Sequence, residues 1–164
     1  ISTASDPRGR RTVIDIVSKK IEERGFPVGR LDRDTTGLLL LTNDGELAER
    51  LAHPRHEVKK VYHVTLDKEV PEEHIQAIAA GLTLDDGLAP VDSVSHVKGR
   101  PPHEVGIELH IGRNRIVRRI FEQLGYRVLK LDRVYYGGLT KKDLPRGHFR
   151  PLTEQEVIML KHFS

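Results

Sequence analysis

Cysteine is absent from the 164 residues, which excludes a disulfide framework and a thiolate metal site and suits a reducing compartment. Long apolar runs are missing as well. Nothing approaches the roughly 20 consecutive residues that span a bilayer, and no signal-like start is visible, so a soluble, cytoplasmic protein is expected. Internal repeats and low-complexity tracts are lacking, which leaves a single domain over residues 1–164, long enough to bury about two thirds of the surface its unfolded chain exposes. Charge of one sign is also scarce: 27 Lys and Arg against 24 Asp and Glu leave a formal net charge of +3. The distribution says more than the sum. Arg8, Arg10 and Arg11 form one cluster and Arg113, Arg115, Arg118 and Arg119 another. Clusters of this density suit a phosphate backbone, although a solvated arginine face explains the first equally well.

The chain is organised around Val28-Gly29-Arg30-Leu31-Asp32-Arg33-Asp34-Thr35-Thr36-Gly37, followed by Leu38 to Leu41. A glycine-bounded turn there sets Asp32 among arginines and feeds an apolar run short enough to be a buried central strand. Spacing alone leaves two readings of Asp32 open: a turn residue paired with a neighbouring arginine, or a reactive carboxylate.

Around this stretch the pattern predicts helices and strands interspersed. Thr12 with Asp15 caps a helix whose Val13, Ile14, Val17 and Ile21 share a face up to Gly25. Asn43 is expected to cap a short helix with Glu46 at N3, Leu47 and Leu51 on one face and Pro54 beyond its end. Lys60 to Leu66 reads as a strand with Tyr62, Val64 and Leu66 on one side. Pro71 at N1 opens a helix that Gly81 closes. His103 to Ile111 alternates as a strand. After Gly112-Arg113-Asn114 a helix buries Ile116, Val117, Ile120, Phe121 and Leu124, with Arg115, Arg118 and Arg119 on one flank, placed to converge on one ligand. Val128 to Tyr136 is a further strand, and Thr153 with Glu156 forms a capping box for a last helix. Short, hairpin-like connections favour α+β over a doubly wound parallel sheet.

Four words carry a family resemblance: Gly29-Arg30-Leu31-Asp32 with Thr36 to Leu47; Lys60-Val61-Tyr62; Gly112 to Ile120; and Leu131-Asp132-Arg133 leading to Gly137-Gly138-Leu139, Leu144-Pro145 and Gly147. Together the chain resembles the pseudouridine synthases of the RsuA and RluB type, closer to RluB in its Gly112-Arg113-Asn114-Arg115 word. The resemblance implies that family's fold, a central mostly antiparallel mixed sheet flanked by helices. It implies isomerisation of a uridine in ribosomal RNA, 23S for the RluB branch, by cleaving the N1 to C1' bond and rejoining through C5. One carboxylate suffices for this, because the departing base is retained and water is not the acceptor. The matching nucleophile is Asp32, held by Arg118, which would lower its pKa by roughly 1 to 3 units. Tyr62 would stack on the flipped uracil and accept or relay the C5 proton, within a water-excluding wall of Tyr62, Val64 and Leu131. Arg30, Arg113, Arg115 and Arg119 are implied phosphate contacts, Arg30 nearest the target nucleotide. Ile116 stands where the family more often has glutamine. The family's N-terminal S4 domain and first strand are not in this chain, so a catalytic-domain fragment is expected, acting as a monomer without metal or organic cofactor.

Two rivals remain. A non-catalytic RNA-binding or ribosome-associated domain would keep the arginines but needs no buried carboxylate. Asp32-Arg33-Asp34-Thr35-Thr36 also spells the D-x-D-x-T word of the haloacid dehalogenase phosphotransferases, with Asp85-Asp86 as a downstream acidic pair. That fold requires an apolar strand running into the first aspartate, where this chain has Phe26-Pro27-Val28-Gly29-Arg30-Leu31. His53 with His56 lacks a third ligand in the same word and reads as surface or RNA-facing.

Overall fold

The computed structural model describes residues 26–29, 31–53 and 58–162. The expected first helix, the cluster Arg8, Arg10 and Arg11, and Arg30, Pro54 and His56 lie outside them.

Two long strands form the spine. β4 (Lys60–Leu66) and β9 (Val128–Tyr136) pair antiparallel, and both span the residues expected from the sequence. β8 (Glu104–Leu109) pairs with the other edge of β4, β7 (Ser93–His96) with β8, and β10 (Leu139–Thr140) with β9, all antiparallel. β2 (Thr36–Gly37) adds to β9 in parallel, so the sheet is mixed. Two small hairpin-like pairs stand apart: β1 (Phe26–Pro27) with β3 (Leu41–Thr42), and β5 (Leu82–Leu84) with β6 (Gly87–Ala89). The helices are α1 (Gly45–Ala52), α2 (Glu72–Ala80), α3 (Ile116–Gln123) and α4 (Glu154–His162), which gives the expected α+β architecture.

Apolar side chains gather in two clusters. The larger holds Val64 and Leu66 of β4, Val105, Ile107 and Leu109 of β8, and the buried face of α3, with Ile120 and Phe121 fully covered. The smaller holds Val28, Leu47, Leu51, Val58, Tyr136 and Leu160. A cleft opens where these clusters meet.

Three local expectations are corrected. Leu38 to Leu41 is not a central strand: only Leu41 is in one, in the β1–β3 pair. Gly37, at φ +116°, lies so close to β9 that a Cβ there would fall 2.2 Å from the Arg133 carbonyl oxygen. The chain is thereby held on β9 through Leu38, whose N–H donates to the Arg133 carbonyl at 2.9 Å, and it then crosses to β1, where the Val28 N–H donates to the Leu40 carbonyl at 2.7 Å. The N-cap of α1 is Asp44 rather than Asn43; its carboxylate accepts from the Leu47 N–H at 3.0 Å, and an ionised cap is the stronger acceptor beside a helix N-terminus. Pro71 caps α2 with extended backbone rather than occupying N1. At the C-terminal end the capping box forms as expected, the Thr153 N–H donating to Glu156 Oε1 at 2.9 Å and the Glu156 N–H to Thr153 Oγ1 at 3.2 Å.

Candidate active site

Asp32 opens a tight turn, with the Thr35 N–H donating to the Asp32 carbonyl at 2.9 Å. The turn is pinned from behind by β2: Thr36 Oγ1 donates to Asp132 Oδ1 at 3.1 Å, while Asp132 also takes the Lys141 ammonium. Asp32 is therefore a half-buried carboxylate on an anchored loop. It lines a cleft of about 350 Å³ with Tyr62, Lys60, Leu131, Arg133 and the Arg113-to-Val117 approach to α3.

The structure brings together Asp32, Tyr62, Leu131, Arg113 and Arg115 as cleft-lining residues. It places three other expected residues elsewhere. Val64 does not line the cleft; it is fully buried one strand repeat beyond Tyr62, in the cluster that includes Ile116 and Val117. Arg118 lies behind the loop, and its expected partner is corrected. Its Nη2 donates to the Asp34 carbonyl at 2.6 Å and its Nε stands 3.4 Å from Asp34 Oδ1, whereas Asp32 Oδ2 faces Arg115 Nη1 at 3.6 Å. The turn sends Asp34, two residues on, toward α3, so Arg118 holds the loop's backbone and Arg115 attends both carboxylates. Arg119 points away, both its terminal nitrogens bonding Asp86 at 2.9 and 3.1 Å.

The four arginines thus divide into two pairs instead of converging on one ligand. Arg115 and Arg118 close on Asp34; Arg113 and Arg119 close on Asp86 at the β5–β6 turn. Arg115 hydrogen bonds hold the Asp34 carboxyl below the usual range against some desolvation, with the Arg118 charge assisting. Arg119 does the same for Asp86. Arg115 itself sits in the left-handed region, φ +49°, at the N-cap of α3, a conformation that costs a non-glycine residue energy and that the paired carboxylates help retain. Asp86 is thereby committed to two arginines and does not line the cleft that holds Asp32, which does not fit a D-x-D-x-T phosphotransferase centre.

Sequence reasoning assigned no role to Lys60, Arg133, Asp34 or Tyr136. Lys60 and Arg133 stood within quoted words, and Asp34 within the organising stretch. Their side chains become prominent only when β4 and β9 are placed in register. Tyr62 lies opposite Arg133 and Lys60 opposite Tyr136. Burial in the cleft, with the Arg133 charge adding to it, pulls the Lys60 ammonium down to about 8. Burial pushes the Tyr136 phenol up, against the opposing Arg133 charge.

A mixed sheet whose central strand β4 brings Tyr62 into one cleft with Asp32, with cations around both, is a setting that suits an anionic ligand. The comparisons specify it. The family model described as RNA pseudouridylate synthase matches residues 2–123, and the chain belongs to that family. It is 42% identical over 164 residues to the ribosomal large subunit pseudouridine synthase B of Bacillus subtilis, covering 98% of this chain and 67% of that protein. The protein of the same name from Vibrio cholerae is 42% identical over 163 residues, covering 98% of this chain and 51% of its own length. The chain therefore spans about half to two thirds of these relatives. A crystal structure of a pseudouridylate synthase superposes with a TM-score of 0.79 at 33% identity, covering 91% of this chain and 65% of that one. An archaeal box H/ACA sRNP complex shares the fold alone, at 19% identity and a TM-score of 0.53 over 76% of this chain and 43% of that one.

Proposed function

We propose that this domain converts a uridine of large-subunit ribosomal RNA to pseudouridine, with Asp32 as the catalytic carboxylate. The observation that carries the reading is that Asp32 and Tyr62, 30 positions apart in sequence, line one cleft together with apolar side chains and the cations Lys60, Arg113, Arg115 and Arg133. The target base must leave its stack to reach such a cleft, and Tyr62 offers a rigid face on which uracil packs. As the N1 to C1' bond breaks, the base leaves with the electron pair and the Asp32 carboxylate bonds the electron-deficient C1'. The uracil turns, C5 attacks C1' and displaces Asp32 as free carboxylate, the C5 proton leaves by way of the Tyr62 phenol, and N1 takes up a proton. The sum is an isomerisation. Leu131 and Ile116 exclude water, which keeps the base from being lost to hydrolysis. Arg113 and Arg115 on the cleft wall, with Arg30, contact phosphates, while Arg118 positions the loop through Asp34.

The same reading has the protein working as a cytoplasmic monomer. No helix among the described residues is long and apolar enough to cross a membrane. The test of function is tritium release from large-subunit RNA labelled at uridine C5. Release by the parent and none by Asp32→Ala or Asp32→Asn is expected; equal release by all three removes Asp32 from the mechanism. Unchanged RNA binding without release by any of them supports a binding module instead.

A further inference from the structure

The cleft holds two positive charges for which the described residues supply no ion-pair partner. Among its described lining residues Asp32 is the one carboxylate, against Lys60, Arg113, Arg115 and Arg133. Arg115 has Asp32 and Asp34, and Arg113 has Asp86. The remaining two have no ion-pair partner among the described residues. Lys60 reaches across the cleft to Gly112, its Nζ 3.4 Å from where a Cβ would stand. Arg133 is only 4% exposed; its Nε donates to the Leu38 carbonyl at 2.8 Å and its guanidinium lies 5.0 Å from the Tyr136 ring centroid. Its Nη2 is buried with no hydrogen-bond partner.

This arrangement is built by an irregularity in β9. Between the pairs Val61 with Tyr135 and Tyr62 with Arg133, β9 takes one residue more than β4. Residues three apart on a regular strand face opposite sides; the extra residue lets Arg133 and Tyr136 both face the side that carries Lys60 and Tyr62. The contacts to Leu38 and Tyr136 hold the Arg133 guanidinium in place but do not neutralise its charge. A buried cation left without its counter-charge costs the fold, and two side by side cost it more.

We propose that Lys60 and Arg133 form an anion subsite in the cleft that receives a phosphodiester oxygen of the bound RNA strand. A neutral carbonyl would leave the mutual repulsion standing, whereas a full negative charge cancels it. The subsite lies about 7 Å along β4 from Tyr62 and directly across from it on β9. That spacing places the bound phosphate within one nucleotide of the base stacked on Tyr62. Binding of the anion returns to Lys60 the proton affinity that burial and Arg133 remove.

The proposal rests on the RNA-modifying reading and is tested with the parent, Lys60→Met, Lys60→Arg and Arg133→Lys. Binding of a uridine-containing oligoribonucleotide is titrated across salt concentrations, alongside C5 tritium release. Lys60→Met is expected to weaken binding about tenfold at low salt and to reduce the magnitude of the salt slope by about 0.7, the share of one phosphate on a single strand, while Lys60→Arg restores both. In the parent, the NMR signal of the Lys60 side chain is expected to shift on adding inorganic phosphate. Unchanged affinity and slope in Lys60→Met overturn the subsite. So does a fall in kcat alone with KM and slope unchanged, which assigns the charge to the departing base. A parent that binds RNA through Lys60 yet releases no tritium fails the isomerase reading and leaves the subsite in place.

Discussion

Lys60→Met should make the ligand-free protein more stable, and the gain should shrink as pH rises. In the unfolded chain the lysine titrates at its ordinary 10.5; in the cleft it titrates at about 8. A lysine whose folded pKa is depressed penalises the native state in full below the folded value, and the penalty disappears as pH passes the unfolded one. The interval of about 2.5 units corresponds to about 3 kcal/mol at pH 6.5 and, by the same linkage, about half of that at pH 9.5. Methionine replaces the stem with a near-isosteric apolar chain, so packing should change little. Urea unfolding of both proteins at the two pH values reads the effect. With a slope near 2 kcal/mol/M, the midpoint of Lys60→Met should lie about 1.5 M above the parent at pH 6.5. A variant no more stable than the parent, or a difference that does not narrow at pH 9.5, refutes the reasoning. It would mean that the ammonium is solvated in the cleft and that the site is not poised for an anion.

Asp34→Asn keeps the backbone carbonyl that Arg118 grips but removes the charge facing Arg115 and Arg118. We expect a loss of about 1 kcal/mol at pH 7, because Asp34 is itself exposed and the pair is screened. Since the folded Asp34 carboxyl titrates below the unfolded one, its contribution is present above pH 4 and fades as pH falls through the folded value; parent and variant should converge in acid unfolding. Gly37→Ala should cost more than about 3 kcal/mol or prevent folding, since no flexible group can yield to a Cβ set 2.2 Å from a backbone oxygen at φ +116°; thermal unfolding measures it, and a loss under 1 kcal/mol would be incompatible with the observed β2–β9 approach. Asp86→Asn should release Arg113 and Arg119 from their clamp, raising affinity for non-target RNA a few-fold and steepening its salt dependence in filter binding.

The sheet's spine was legible because β4 alternates over 7 residues and because β9 is a 9-residue β-branched- and aromatic-containing run that Gly137-Gly138 ends. The capping box of α4 was legible because both members are local. The leucine run was misread for the opposite reason. Four leucines look like a buried strand, and nothing local reveals that Gly37 closes on Arg133 and that the chain then changes sheets. Which arginine serves which aspartate was equally hidden: Arg115 and Arg118 meet Asp34 across 81 and 84 positions, and Arg119 meets Asp86 across 33. Family words located the loop and the helix, but register and turn direction decided the pairings. Lys60 and Arg133 were quoted without a role because the register that sets Arg133 opposite Tyr62, on the face that carries Lys60, leaves no trace in composition.

Within this domain the meaning of a basic residue depends on whether the fold has already neutralised it. Arg118 and Arg119 belong to one basic run, yet each is committed to an aspartate of its own chain; Arg118 is buried doing so, and its loss would leave Asp34 to Arg115 alone and loosen the turn that carries Asp32. Such arginines contribute geometry, and RNA would have to displace a carboxylate to use them. Lys60 and Arg133 sit in no basic cluster and would be passed over in a count of charges. They are nonetheless cleft-lining cations for which the described residues supply no ion-pair partner, and on the proposed reading they face the RNA strand that brings its base to Asp32. On the proposed function, local charge density therefore locates an RNA-facing side only coarsely. The unpaired charges locate the contact that binding has to complete.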